Sequence, residues 1–212
     1  MLPIGYFDKP GFETTSLQAA FDVRGNNIKF FYAPMEGVMK LKEDNYYPPD
    51  ISVPYITLVG EKSFITYPMD HFIYVYDCQD GSFVNKRPGC SSIIEELPYP
   101  LSKDEIQKPQ EVWNYRIETP FYEPLFYHSE VKLFTRVIHH PQQLKKANGI
   151  LNDGSDRTAS LIIMDEDLNI IGEHIFKNGT YPIHGGIPLS NGLLIYSKDS
   201  GIPNLIYKFK RL

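Results

Sequence analysis

The segment with the most obvious catalytic use is His184-Gly185-Gly186. In some hydrolases a His-Gly-Gly segment supplies backbone N–H groups to an oxyanion, but these enzymes also need a serine at a Gly-x-Ser-x-Gly turn. The nearest approach to that turn, Gly89-Cys90-Ser91-Ser92-Ile93, lacks the closing glycine. We therefore interpret the segment as a tight bend on an inner strand, where glycines let neighbouring backbones approach closely. On such a strand His184 is a candidate to line a central channel.

Two adjacent histidines, His139 and His140, precede a proline and could serve as metal ligands. Consecutive side chains on an extended strand point to opposite faces, so the pair cannot grip one metal ion without a bend. Zinc needs at least three ligands, and no Cys/His spacing in the chain supplies them. We therefore expect exposed histidines at a loop edge.

Two oxygen-rich segments could bind calcium. The first, Asp165-Glu166-Asp167-Leu168-Asn169, fails as an EF-hand loop because the required glycine and glutamate positions hold Ile170 and Phe176. Acidic residues and Asn instead suit a two-residue hairpin turn. The second, Asn152-Asp153-Gly154-Ser155-Asp156, is compatible with calcium binding or with a plain flexible turn.

The middle of the chain is rich in aromatic residues, and Arg136 follows them on a predicted strand. Aromatic rings on one rim would suit carbohydrate or peptide docking, whereas the same rings could simply pack between sheets. Arg136 is either an anion contact in a channel or a buried partner of Glu130 or Glu123. The aromatic residues in question are Tyr46, Tyr47, Trp113, Tyr115, Phe121 and Tyr122.

These residues must be positioned by short strands, because repeated hairpins run through the chain. One hairpin joins Phe72–Asp77 to Phe83–Lys86 through Cys78-Gln79-Asp80-Gly81, and another joins Ser160–Asp165 to Leu168–Glu173. Further strands are predicted at 28–32, 37–41, 54–59, 63–67, 121–127, 131–138, 181–187, 192–196 and 204–209. Repeated antiparallel sets favour a β-propeller-like array over a two-sheet sandwich, which the same strands would permit.

Two connections interrupt this pattern. In the Pro-rich stretch from about 88 to 110, Ser102 and Glu105 form a capping-box signal for one short helix. An insertion at 139–158 lengthens the next set. These connections explain why the repeat is longer than the ~40–50 residues of common propellers. Residues 1–212 are thus interpreted as a single domain, a partial ring of about three to four blades.

The composition agrees with a folded β protein. The chain has 212 residues, 17 Pro, 15 Gly, 15 Tyr and 13 Phe, which favours many short strands. With a net charge of −5 and no basic stripe, nucleic acid is not an expected partner. No apolar stretch is long enough for a transmembrane helix. Cys78 and Cys90 are expected to stay as thiols, because the hairpin separates them too far for a disulfide.

The chain resembles a known family at Tyr122–Tyr127 with Thr135-Arg136, at Leu161–Asp165 through Ile171-Gly172-Glu173, and at Gly192–Tyr196. The family is an uncharacterised, domain-of-unknown-function family of TolB-like six-bladed β-propeller lipoproteins from gut Bacteroidetes. The resemblance implies that this chain is the C-terminal part of a six-bladed ring. It also implies an extracytoplasmic protein, in the periplasm or anchored at the outer-membrane surface, whose export signal is not in this chain. It assigns no catalytic residue.

We therefore predict a non-enzymatic binding module that holds a protein, peptide or carbohydrate ligand. No catalytic residue, metal or cofactor is predicted. One alternative is a lyase or hydrolase with a central-channel site around His184 and Arg136. Another is a structural module that forms a homodimer through open blade edges. The candidate binding residues are His184, Arg136, Tyr122, His128 and Tyr55.

Overall fold

The computed structural model describes residues 2–3, 18–22, 27–31, 45–48, 54–97, 99–152, 157–177, 186–197 and 201–210. The described strands are β1 Leu2–Pro3, β2 Gln18–Asp22, β3 Asn27–Phe31, β4 Asn45–Tyr46, β5 Tyr55–Val59, β6 Lys62–Thr66, β7 Phe72–Asp77, β8 Phe83–Pro88, β9 Leu101–Ser102, β10 Phe121–His128, β11 Leu133–His139, β12 Ala159–Met164, β13 Ile170–Phe176, β14 Ile187–Leu189, β15 Gly192–Ile195 and β16 Leu205–Lys208.

The strands form antiparallel meanders in chain order. Sheet I contains β1 to β3, sheet II contains β5 to β8, sheet III contains β10 to β13, and sheet IV contains β14 to β16. A two-stranded ribbon joins β4 to β9. The all-β class and the four-stranded antiparallel sets are therefore confirmed. Within the described residues the sheets do not close into a ring.

Sheet II matches the sequence prediction closely. Its middle strands β6 and β7 are almost entirely buried, and its outer strand β8 is mostly exposed. The predicted turn at 78–81 is held by Asp77, whose carboxylate accepts a hydrogen bond from the Gln79 backbone N–H at 2.7 Å. Burial of alternating aromatic and β-branched side chains on both faces explains why this hairpin was visible in the sequence.

Sheet III was also predicted, but its last turn differs. The β12–β13 turn was expected to be a two-residue hairpin, whereas Met164 pairs with Ile170 and five residues lie between them. Leu168 adopts a positive φ of 63°, and the Asp165 carboxylate accepts backbone hydrogen bonds from Asp167 and Asn169. The acidic residues stabilise a longer turn than the strand pattern alone indicates.

Sheets I and IV are described only in part. In sheet I, β3 pairs with β2, and the strand predicted at 37–41 lies outside the described residues. The first strand of sheet IV was expected at 181–187 and its described part runs from Ile187 to Leu189. The other predicted strands of sheet IV, β15 and β16, are present and paired with Leu193 opposite Tyr207.

The connection between sheets II and III contains two helices, one more than predicted. The helix Lys103–Ile106 carries the predicted capping box, with Ser102 and Glu105 bonded to each other's backbone N–H groups. The helix Pro109–Glu118 was missed, because its polar sequence has little amphipathic periodicity. Pro109 occupies its first turn, where proline is tolerated. Among the described helices, none is long and apolar enough to cross a bilayer.

Sheets II, III and IV pack against one another in chain order through apolar faces. Between sheets II and III, Phe64 and Phe134 lie with ring centres 4.8 Å apart. Between sheets III and IV, Leu161 and Val137 share a cluster with Leu193. The first strands of the three sheets lie side by side, β5 next to β10 and β10 next to β14. The polar residues that follow are positioned at these two seams.

Candidate functional site

The most buried charge in the described structure is Arg136, at the seam between sheets II and III. It lies in the middle of β11, opposite Leu125 of β10 and Ile162 of β12, and its side chain is fully buried. Its guanidinium donates from Nη2 to the backbone oxygens of Tyr67 (2.8 Å) and Asp70 (2.9 Å). Sheet III thus holds the turn between β6 and β7 of sheet II.

The guanidinium of Arg136 has two further contacts. Its Nη1 donates to the Gly89 carbonyl at 3.3 Å, and its central carbon lies 3.8 Å from the ring centre of Tyr122. Burial lowers the pKa of Arg136 to about 10, so the group stays charged at neutral pH. Carbonyl dipoles and the face of an aromatic ring stabilise this cation.

The predicted carboxylate partners of Arg136 were wrong. Glu123 bonds to His139, with 2.9 Å between Oε1 and Nε2. Glu130 sits in the β10–β11 turn and accepts hydrogen bonds from Ser190 and Asn191 of sheet IV. The actual partners of Arg136 are backbone carbonyl oxygens. The sequence could not predict them, because every residue type carries a backbone carbonyl.

Tyr122 extends the cluster to His71 in a chain of hydrogen bonds. The His71 Nε2 lies 3.2 Å from the Glu95 carbonyl, which can only accept, so Nε2 carries the proton. Nδ1 is then the acceptor for the Tyr122 hydroxyl at 2.6 Å. Burial lowers the pKa of His71 and raises that of Tyr122, so both are neutral at pH 7.

Asp70, next to His71, is fixed by its own neighbours. Its Oδ2 accepts from the Tyr74 hydroxyl at 2.6 Å, and its Oδ1 accepts from the Phe72 backbone N–H at 3.0 Å. Burial raises the pKa of the Asp70 carboxyl, although these hydrogen bonds and the Arg136 charge oppose the rise.

A connector after β8, residues 89–97, is held over sheet III by Glu173 of β13. The Glu173 carboxylate accepts from the hydroxyls of Ser91 and Ser92 and from the Ser92 backbone N–H at 2.8 Å. Burial raises the pKa of Glu173, but these hydrogen bonds outweigh it and the pKa lies below its usual range. Glu173 is therefore ionised and rigidly positioned.

The predicted histidine His128 lies at the other seam, between sheets III and IV. It is fully buried at the end of β10, with Nδ1 donating to the Leu189 carbonyl at 2.7 Å and Nε2 accepting from the Thr135 hydroxyl at 2.8 Å. Its ring also packs against Phe209. Burial lowers the pKa of His128, so the imidazole is neutral.

The expected exposed pair His139 and His140 is not exposed. His139 is buried against Glu123, and half-buried His140 bonds through Nε2 to the Ser160 hydroxyl at 2.8 Å. His139 and His140 bond to different partners, because consecutive side chains on a strand point to opposite faces. The expectation of exposure failed because the insertion after them folds back, with Gln142 N–H bonded to the Ile117 carbonyl at 3.0 Å.

Of the five predicted binding residues, the structure brings three together. Tyr55, at the start of β5, is half-buried and close enough to Arg136 to favour its charged form, and Tyr122 stacks on Arg136. His128 lies apart at the second seam. His184 lies outside the described residues, as do residues 153–156 of the oxygen-rich loop.

Most of the aromatic residues pack internally. Tyr115 and Met69 form a buried cluster with Tyr47 and Phe121, while Trp113 and Tyr46 remain partly exposed. Cys78 and Cys90 form no disulfide, as expected. Within the part of the chain that the structure describes, no three His, Cys, Asp or Glu side chains converge on a metal position.

Four important residues were not predicted: His71, Asp70, Glu173 and Arg157. Arg157 donates to the carbonyls of Thr119 (3.1 Å) and Ile117 (2.8 Å) at the end of the helix Pro109–Glu118. For Asp70 and His71, the turn sequence Pro68-Met69-Asp70-His71 could have indicated their position between two strands. The partners of Glu173 and Arg157 are distant in sequence, so no local pattern could reveal them.

Comparison with known proteins agrees with this description. The family model for a domain of unknown function (DUF4221) matches residues 10–175. The fold is similar to the crystal structure of a DUF4221 family member from Bacteroides vulgatus ATCC 8482, with a TM-score of 0.69 and 15% sequence identity. The similarity covers 93% of this chain but only 55% of that one, so the chain spans about half the length of its structural relative. A comparison with curated proteins found no match. Because the family model covers most of its length, the chain belongs to the DUF4221 family.

Proposed function

We propose that the chain is a non-enzymatic binding module of an exported bacterial protein, built as part of a TolB-like β-propeller ring. The side-by-side first strands β5, β10 and β14 support a radial arrangement, because first strands of propeller blades surround a common axis. The face-to-face packing of consecutive sheets supports it as well.

The observation that carries the proposal is the burial of three candidate residues. Arg136, Tyr122 and His128 are fully buried, and each bonds to a residue of an adjoining sheet or its connector. A solute in water does not reach them, so their role is to hold the sheets in place. Chemistry at Arg136, which the enzyme alternative requires, would need the two sheets to separate.

A ligand would therefore meet the rim where the first strands begin. Tyr55 starts β5 there, whereas the other candidate, His184, lies outside the described residues. The ends of β10 and β14 meet at His128 and Leu189, which implies that their starts share the opposite rim. An aromatic ring at that rim suits a protein, peptide or carbohydrate ligand.

The test is a thermal-shift screen with defined oligosaccharides and short peptides. A ligand that binds the folded state raises Tm, by an amount that grows with the logarithm of its concentration above Kd, and is recovered unchanged by mass spectrometry. Tyr55→Ala and His184→Ala should each weaken its affinity about tenfold, or about 1.4 kcal/mol. Val84→Ala, at an exposed position on the outer strand β8, is the matched control and should leave the affinity unchanged. Conversion of the ligand to product over time would replace this proposal with the lyase or hydrolase alternative.

A further inference from the structure

The segment between β11 and β12 contains a small hairpin that lies outside the sheets. A bridge between Lys145 and Leu151 closes this insertion hairpin. At its tip, Gly149 has a positive φ of 81° and donates its backbone N–H to the Lys146 carbonyl at 2.8 Å. Every residue from 147 to 151 is exposed. Water therefore reaches the tip, whose backbone can open locally at low cost.

Asn148 precedes this glycine, and Asn-Gly is the pair in which a backbone nitrogen most readily attacks a side-chain amide. Glycine has no side chain to hinder the approach of its own nitrogen to the amide carbon. The Asn148 Oδ1 accepts a hydrogen bond from the Ile150 backbone N–H at 3.1 Å. This bond polarises the Cγ=O group and stabilises the negative charge that develops on Oδ1 during the attack. The turn therefore activates the carbon that the Gly149 nitrogen attacks.

A second Asn-Gly pair, Asn191-Gly192, has the opposite surroundings. The Asn191 Nδ2 donates to the Glu130 carboxylate at 2.9 Å, and Gly192 is buried at the start of β15. Gly192 lies opposite Leu189 on one side and Lys208 on the other. The same attack at this pair requires the Asn191 amide to leave Glu130 and the backbone to leave the sheet. Such an opening is rarer than that of an exposed hairpin tip.

The β7–β8 turn shows that a carboxylate fits the geometry found at the tip. There Asp80 precedes Gly81, which has a positive φ of 77° and donates its N–H to the Asp77 carbonyl at 2.9 Å. The Asp80 Oδ1 accepts a hydrogen bond from the Ser82 backbone N–H at 2.8 Å. These contacts repeat those of Asn148, with a carboxylate in place of the amide. An aspartate at that position therefore fits the tip and gains a charge-assisted hydrogen bond.

We propose that Asn148-Gly149 is a site of spontaneous deamidation, in which the Gly149 backbone nitrogen displaces ammonia from the Asn148 side chain. Hydroxide removes the amide proton, the nitrogen bonds to Cγ, and the Cγ–Nδ2 bond breaks as the leaving nitrogen takes a proton from water. The cyclic imide then adds water at either carbonyl and opens to aspartate or isoaspartate. The net reaction consumes water and releases ammonia, without a cofactor. The insertion hairpin thus gains negative charge as the protein ages, independently of the proposed binding function.

The test follows both described Asn-Gly pairs in the intact chain at mildly alkaline pH. Proteolytic digestion at acid pH and mass spectrometry measure the fraction of Asn148 and of Asn191 that is converted at each time. In the folded chain, Asn148 should convert at least about tenfold faster than Asn191. In guanidinium chloride the two should convert at similar rates, because the fold then protects neither. The pair Asn178-Gly179 lies outside the described residues and is left out of the comparison.

Two glycine variants test the route of the reaction. Gly149→Ala should slow conversion of Asn148 at least about tenfold, because a methyl group hinders the attacking nitrogen. Gly60→Ala is the matched control, since Gly60 is also exposed, has a positive φ of 59° and leaves an added Cβ free of contacts within 4 Å. It should leave the conversion rate unchanged. Equal rates at Asn148 and Asn191 in the folded chain would overturn the proposal. So would an Asn148 that stays intact in the folded chain while it converts in the unfolded one, or an undiminished rate in Gly149→Ala.

Discussion

At the scale of single residues, two arginines are buried, and backbone carbonyl groups stabilise the charge of each in the same way. Arg136 donates to the carbonyls of Tyr67, Asp70 and Gly89, and Arg157 donates to those of Arg116, Ile117 and Thr119. Each also faces an aromatic ring, that of Tyr122 or Phe121. A planar guanidinium can serve several carbonyls at once, which a lysine ammonium does less well.

Arg136→Lys should therefore lower the free energy of unfolding by about 2–4 kcal/mol, because charged hydrogen bonds are lost and buried carbonyls are left without donors. Urea unfolding at neutral pH measures the change. Arg87→Lys is the matched control, since Arg87 is exposed on β8, and it should change stability by less than about 0.5 kcal/mol. Equal stability of the two variants would mean that the Arg136 contacts do not hold the seam.

Three buried or half-buried histidines should make stability depend on pH. Burial lowers the pKa of His71, His128 and His140 below the ordinary value of 6.5. The unfolded chain then binds more protons than the folded chain as pH falls below about 6.5, so stability is fully present near pH 7.5 and declines toward acid pH. Asp70, whose pKa burial raises, opposes this decline at lower pH.

Urea unfolding between about pH 7.5 and 6 should show this slope, and His128→Gln should reduce it. A slope that is the same in wild type and His128→Gln would show that His128 does not contribute to the linkage.

At the scale of elements, the sequence predicted strands well and contacts between them poorly. The strands of sheets II and III follow from alternating and continuous apolar residues, and the Ser102–Glu105 box from its spacing. The helix Pro109–Glu118 was missed because packing against Met69 and Phe121, rather than its own apolar periodicity, stabilises it. At the seams, Arg136 and Glu173 meet partners far away in sequence, which only the fold brings near.

Two glutamates connect neighbouring elements and should act independently. Glu173 holds the connector 89–97, and Glu130 holds the β14–β15 turn through Ser190 and Asn191. Glu173→Ala should speed hydrogen exchange in 91–95 and leave 189–192 unchanged, whereas Glu130→Ala should do the reverse. Each variant is the control for the other. Faster exchange in both segments from either change would indicate that the two contacts are coupled.

At the scale of the whole molecule, the described contacts link sheets II, III and IV in chain order. Sheet III meets sheet II through β5 and β6 and meets sheet IV through β14, with a separate apolar cluster at each seam. In arrays of this kind, stability approximates a sum of unit stabilities and neighbour interfaces, so one unit can unfold before the rest. Sheet IV has three short strands and a single described seam, which makes it the expected weak unit.

Gly192→Ala tests this view of the molecule. A Cβ at Gly192 would lie 2.2 Å from the Tyr207 carbonyl oxygen, so β15 and β16 would have to separate, at a cost of about 1–3 kcal/mol. Amides of 192–195 and 205–208 should then exchange much faster while those of β6 and β7 keep their protection. Gly172→Ala on β13 is the matched control, because its Cβ would meet nothing within 4 Å. Equal loss of protection in sheets II and IV would instead show that the described sheets unfold as one cooperative unit.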